Sequence, residues 1–176
     1  MLWGQLLPAQ GGVAWRVAYL LVAFATHALV GAVLAATLLG ARPALGAVAG
    51  LAPDLDFLFP HEWAFPFVHR GLTHSPAALL AVLGVGYALD ADADLLAAVG
   101  AGYLAHLVVD SLTPKGVLWL YPVSTTAVGA DLGGHSVPVT LAVWAGCAVA
   151  YYRLEGTAED GFLALLAEDD DRSDAG

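Results

Sequence analysis

From Val17 to Gly40 the chain runs without an Asp, Glu, Lys or Arg, bracketed by Arg16 and Arg42 and interrupted by one imidazole, His27. A stretch that long and apolar meets the requirement of about 20 residues for a helix that crosses a bilayer. It is too long, and its approach too poor in basic residues, for a cleavable signal peptide. Three further spans can be drawn, Thr73–Leu89, Ala93–Leu112 and Ser136–Tyr152, the first and last of them short. Gly84, Gly86, Gly100 and Gly102 suit helices that pack closely through small residues. Pro43–Ala52 is apolar but cannot cross, so it reads as a re-entrant or interfacial helix stopped by Pro53. The expected fold is all-α, a polytopic membrane helix bundle of about four transmembrane helices plus that short helix, placed in the cell membrane as a multi-pass protein.

Composition supports this reading. The 176 residues are 59% hydrophobic and 12% charged, with a mean hydropathy of +0.73, whereas a soluble domain carries about 25% charged residues. A net charge of −10 opposes binding to a phosphate backbone, so nucleic acid is excluded as a partner. The single Cys147 rules out an intrachain disulfide or a cysteine metal site. Eight of the sixteen acids lie between Glu155 and Asp174, which divides the chain into a membrane-embedded domain, 1–152, and an acidic solvent-exposed tail, 153–176. Acid excess beside one lysine, Lys115, is the halophilic type of composition expected where salt screens surface charge.

Four spans place the Asp90, Asp92 and Asp94 turn on one side, and the loops 42–72 and 113–135 on the other. The basic residues divide evenly between the sides and leave absolute orientation open. Titratable side chains are expensive at membrane depth and need partners, at about 2.5–3.5 kcal/mol for Asp, Lys or Arg at a helix centre. His106 and Asp110, four apart, share a helix face and can bind one cation or simply hydrogen-bond to each other. The topology brings His74 and the loop carrying Asp54, Asp56 and His69 to the same side, a nitrogen and oxygen set that suits zinc, or manganese where carboxylates dominate.

His27 reads either as a core histidine bonded to a helix carbonyl or as a ligand at the foot of a polar cleft. Asp54 and Asp56 read as a helix cap or solvated turn, or as one direct ligand and one residue that orients a ligand or binds a second ion. Arg70 can clamp a phosphate oxygen, and a spare histidine can serve as general acid or base. Thr73 and Ser75 suit capping of the second span. His61 and His135 read as surface residues.

In order along the chain, Thr26-His27 with Gly31, Leu51-Ala52-Pro53-Asp54-Leu55-Asp56, His69-Arg70-Gly71-Leu72-Thr73-His74-Ser75, Gly102-Tyr103 with His106 and Asp110, Thr113-Pro114-Lys115-Gly116 and Pro122 resemble the YdjM-like family of membrane-bound metal-dependent hydrolases. The resemblance covers roughly residues 26–123. That family is similar in turn to zinc-dependent phospholipase C and the fungal zinc nucleases. The resemblance implies a divalent metal, zinc above all, as one or two ions held by Asp54, one or both of His69 and His74, His106 and Asp110, with His27 toward a second ion. A further His-x-x-x-Glu pair of the soluble relatives does not occur here.

The function expected is an integral membrane metal-dependent hydrolase acting through a metal-activated water on a phosphoester or phospholipid-type substrate. Asp56 or His69 would be the base and Arg70 the phosphate clamp, with membrane lipid as the surrounding partner. Two other readings use the same residues. One is a non-enzymatic membrane scaffold or regulatory protein with a structural metal or a hydrogen-bonded His/Asp core, and the other is a channel with His27 on its path. An open coordination position beside a substrate entrance separates the enzyme from both.

Overall fold

The computed structural model describes residues 12–60, 62–133 and 135–153; the acidic tail and His61 lie outside them. The elements in chain order are α1 (Val13–Leu39), α2 (Pro43–Ala49), a 3-10 helix (Ala52–Leu58), a 3-10 turn (Leu72–His74), α3 (Pro76–Ala88) and α4 (Ala93–Asp110). A last helix, α5, covers residues 137–153. The all-helical expectation holds: among the described residues the only strand-like pairing is one antiparallel bridge between Val117 and Val128.

Local chemistry sets the helix ends. At the end of α1, Gly40 is left-handed (φ 60°), and the Gly40 and Ala41 amides donate to the Ala36 and Ala35 carbonyls, closing the helix with a glycine at the position where a Cβ is least welcome. Pro43 and Pro76 open α2 and α3, where a missing N–H costs nothing. Ser75 caps α3 by accepting the Ala78 amide at 3.2 Å, as expected, whereas Thr73 turns inward and donates to Asp56 at 2.8 Å. Asp92 caps α4 through the Leu95 amide at 2.7 Å.

Two helices among the described residues are long and apolar enough to cross a membrane, Val13–Leu39 and Ala93–Asp110. The second expected span shortens to the 13 residues of α3, about 20 Å of helix against a hydrocarbon core of about 30 Å. Its intended first turn is used instead to carry His74 inward. The distribution of side chains is that of a protein in lipid. Leu38 is 72% exposed and Leu80 68%, while His74, His106, Asp110 and Asp56 are all buried. In water the reverse is normal; in a bilayer, polar groups turn to the protein interior.

One expectation is corrected. Arg42 does not share an end of the bundle with the His69–His74 loop. Its guanidinium pairs with Asp92 at 2.9 Å and with Asp94, so it lies at the end where α3 turns into α4. The chain returns from there through α2 and the following 3-10 helix, which the sequence-based count of crossings did not treat as a passage. That return is possible because α2 runs between α1 and α4 with almost no side chain in the way: Cβ atoms at Gly31 or Gly102 would meet the Gly46 carbonyl oxygen, and one at Gly50 would meet the His27 carbonyl. Non-spanning backbone at this depth is therefore sheltered by protein, as membrane interiors demand.

This packing makes a paired prediction. Gly102→Ala drives a methyl into the Gly46 carbonyl and should cost about 1–3 kcal/mol, seen as a lower thermal unfolding midpoint in detergent. Gly84→Ala on α3 has nothing within 4 Å and should be neutral or stabilising by up to about 1 kcal/mol. Equal losses from both would contradict the close three-helix contact.

Candidate metal centre

Four ligand atoms from three parts of the chain converge where α4 ends. Asp54 comes from the first 3-10 helix, His74 from the 3-10 turn, and His106 and Asp110 from successive turns of α4. The His74 Nε2 lies 3.1 Å from the His106 Nε2, 3.5 Å from the Asp54 Oδ1 and 3.4 Å from the Asp110 Oδ2. The His106 Nε2 lies 3.8 Å from the Asp54 Oδ1 and 3.5 Å from the Asp110 Oδ2. Ligands about 2.1 Å from a tetrahedral zinc stand about 3.4 Å from one another. Asp54, His74 and His106 therefore lie close enough together to hold one metal ion, with the Asp110 carboxylate beside both imidazoles.

The supports behind these atoms aim them. The His106 Nδ1 donates to the Gly50 carbonyl at 2.7 Å, which leaves its Nε2 lone pair for a cation. The His74 ring is bracketed by Asp54 on one nitrogen and Asp56 on the other, the Asp56 Oδ2 lying 3.1 Å from Nδ1. Carboxylate behind histidine is the arrangement that fixes tautomer and ring orientation in metal sites. Asp56 is itself saturated: it also accepts from His69 Nδ1 at 2.9 Å, the Arg70 amide at 3.1 Å and the Thr73 hydroxyl. The Tyr103 hydroxyl donates to the Thr73 carbonyl and ties this loop to α4. Arg70 takes φ 64°, unusual for a residue with a Cβ, and its amide bond to Asp56 holds it there.

Asp110 serves two groups at once. Its Oδ2 faces His74 and His106, while its Oδ1 receives Arg70 Nη2 at 2.8 Å and stands 3.5 Å from His27 Nε2 and 3.6 Å from His135 Nε2. His27 stacks on His106 with ring centroids 3.8 Å apart, and its buried Nδ1 has no hydrogen-bond partner among the described residues, so the core-histidine reading lacks a helix carbonyl there. Among the described residues, three groups have ligand atoms close enough for one ion: His27, His106 and Asp110; Asp54, His74 and His106; and Asp56, His69 and His74. A cavity of about 240 Å³ opens on this cluster, lined among others by His27, Asp54, His69, Arg70, Asp110, Lys115 and His135.

The expected residues His27, Asp54, Asp56, His69, Arg70, His74, His106 and Asp110 are thus gathered in one place. His135 corrects the sequence reading: it is not a surface residue but reaches Asp110 from just before α5. Its signal was faint, an isolated histidine beside glycines, and only the packing of α5 against α1 brings it in. Of the two candidate bases, His69 lines the cavity and Asp56 lies behind it. Arg70 is half-buried, its Nη1 donating to the Thr113 hydroxyl.

Burial opposes charge on Asp54, Asp56 and His74, yet their mutual hydrogen bonds win. Both carboxyls are held below the usual range by His74, and Asp56 by His69 as well. Hydrogen bonds to Asp54 and Asp56 push His74 up to about 9. In the metal-free protein a proton thus occupies the place of the cation, and binding must displace it. Zinc added to metal-free protein in weak buffer should release protons at neutral pH, with apparent affinity rising from about pH 6 toward pH 9. Affinity independent of pH over that range would contradict this arrangement.

No curated protein and no solved structure matches the chain. A family model described as YdjM inner membrane protein matches residues 22–167, a range that takes in every residue of the cluster and both apolar helices except the first turns of α1. The chain belongs to the YdjM inner membrane protein family.

Proposed function

We propose that the protein is an integral membrane, multi-pass, metal-dependent hydrolase that acts on a phosphoester or phospholipid-type substrate. The observation that carries the reading is the division of the cluster into a shielded part and an accessible part. His74 and His106 are fully buried, while Asp54, Asp110, His27 and His135 line the cavity. A divalent cation, zinc by ligand type, supplies Lewis acidity toward a phosphoryl oxygen and lowers the pKa of water to about 7.

The chain's own residues supply the rest. Arg70 presents a guanidinium, fixed by Asp110 and Thr113, to a cavity also lined by Lys115, and its Nε has no hydrogen-bond partner among the described residues; an anionic phosphate oxygen suits such a guanidinium. His69 donates through Nδ1 to Asp56, so its Nε2 is the atom able to accept a proton from an attacking nucleophile. Asp56 is a positioning residue, acting through His69 and His74. The stacking of His69 on Phe57, centroids 4.2 Å apart, restrains the ring.

One observation favours a second reading. The imidazoles and carboxylates of the cluster are bonded to one another and to the backbone, the arrangement of a hydrogen-bonded structural core, which suits a membrane scaffold. The two readings separate in one experiment on zinc-loaded full-length protein in detergent, with bis(p-nitrophenyl) phosphate and phospholipid as substrates. His69→Ala should lower kcat by about 10²–10⁴-fold and leave metal content unchanged, while Arg70→Lys should chiefly raise KM. A fully loaded protein that hydrolyses neither substrate supports the scaffold.

A further inference from the structure

An apolar groove of about 610 Å³ lies between α1 and α5, walled by Trp15, Val22, Leu141 and Trp144 among others. Four residues, Tyr19, Thr113, Pro114 and His135, line both this groove and the polar cavity over the metal cluster. The two spaces therefore adjoin, one dressed with imidazoles, carboxylates and the cations Arg70 and Lys115, the other with hydrocarbon. Val137 and Leu141 on α5 are 64% and 60% exposed, so the groove's flank is apolar toward its surroundings as well. A substrate that was only a soluble phosphoester would use the polar cavity and leave the groove without purpose.

We propose that the groove receives a hydrocarbon tail of a lipid phosphoester whose phosphate lies in the polar cavity, the lipid entering sideways between α1 and α5. A second observation points to the same occupant. Thr140 is 6% exposed and lines the groove, and its hydroxyl has no hydrogen-bond partner among the described residues. A buried hydroxyl without a partner is costly, and an oxygen at the glycerol junction of a lipid is the acceptor that such a position suits. Trp144, fixed by its indole N–H to the Thr26 hydroxyl at 2.9 Å, gives the far end of the groove a rigid wall next to the residue that precedes His27. The proposal rests on the hydrolase reading for the fate of the phosphate, but the seat of the tail can be tested without it.

The full-length zinc-loaded protein is placed in phosphatidylglycerol vesicles containing a trace of the same lipid with a photoactivatable diazirine in its tail. Cross-links are expected at Val22, Leu141 and Trp144, and Ala18→Phe, which fills the groove, should reduce them several-fold while leaving those to the exposed Leu80 and Val85 of α3 unchanged. The same variant should lower hydrolysis of the long-chain lipid by about tenfold or more, since remote substrate contacts are spent on catalysis, and leave bis(p-nitrophenyl) phosphate hydrolysis within about twofold. Thr140→Val, a near-isosteric change, should weaken groove cross-linking in the same direction without filling the space. Groove cross-links that Ala18→Phe does not reduce, or cross-links from the groove to a second copy of the chain in place of lipid, would overturn the proposal. Wild-type protein that hydrolyses neither substrate but keeps the expected cross-links would remove the hydrolase reading and leave the lipid seat standing.

Discussion

The carboxylate of Asp110 is the interaction on which the rest of the structure depends. It is the last residue of α4, where the helix presents its unsatisfied carbonyls and disfavours negative charge, and it is 2% exposed in a protein whose outer surface is built of leucine and valine. A buried anion there persists only with cationic partners, and removing one partner of such a buried pair typically costs about 3–5 kcal/mol. Arg70 supplies one fixed positive charge, and four imidazoles surround the remaining lone pairs. Because His27, His135 and the pair Arg70 and His74 come from separate segments, Asp110 also ties α1, the entry to α5 and the 70s loop to α4.

The glycine contacts make this convergence geometrically possible. Gly31, Gly46 and Gly102 let α1, α2 and α4 meet backbone to backbone, which brings the His27 and His106 rings into stacking contact and puts the Gly50 carbonyl where it fixes the His106 tautomer. The same return of α2 delivers Asp54 and Asp56 to opposite nitrogens of His74. The 70s loop accommodates this through Arg70 at positive φ and Gly71, whose missing Cβ leaves room for the Pro66 carbonyl. Backbone strain at such a residue is sustained where surrounding bonds over-determine it, here the Asp56 contacts with the Arg70 amide, Thr73 and His69.

What the sequence revealed and what it hid follow from the range of the forces involved. The helices of the bundle were legible because apolar runs and their proline, serine and aspartate punctuation are local signals. The cluster was legible because a carboxylate or imidazole inside an apolar run has few stable placements, and because His106 and Asp110 share a face by helical spacing alone. The location of Arg42 was not legible, since a seven-residue helix cannot cross a bilayer and only its burial between two other helices reveals that it carries the chain back. His135 was hidden for a similar reason: nothing near it in sequence calls for a ligand, and its partner lies on another helix. Asp54 and Asp56 were recognised as a pair, but their separate duties depend on the 3-10 geometry that turns them to different nitrogens of one ring.

The central claim is that the buried cluster holds a metal ion. Anomalous diffraction at the zinc edge from crystals of the zinc-loaded full-length protein tests it most directly. The account predicts a peak about 2.0–2.2 Å from ligand atoms of Asp54, His74 and His106 together. Zinc-loaded crystals with no anomalous density between these three side chains would contradict it.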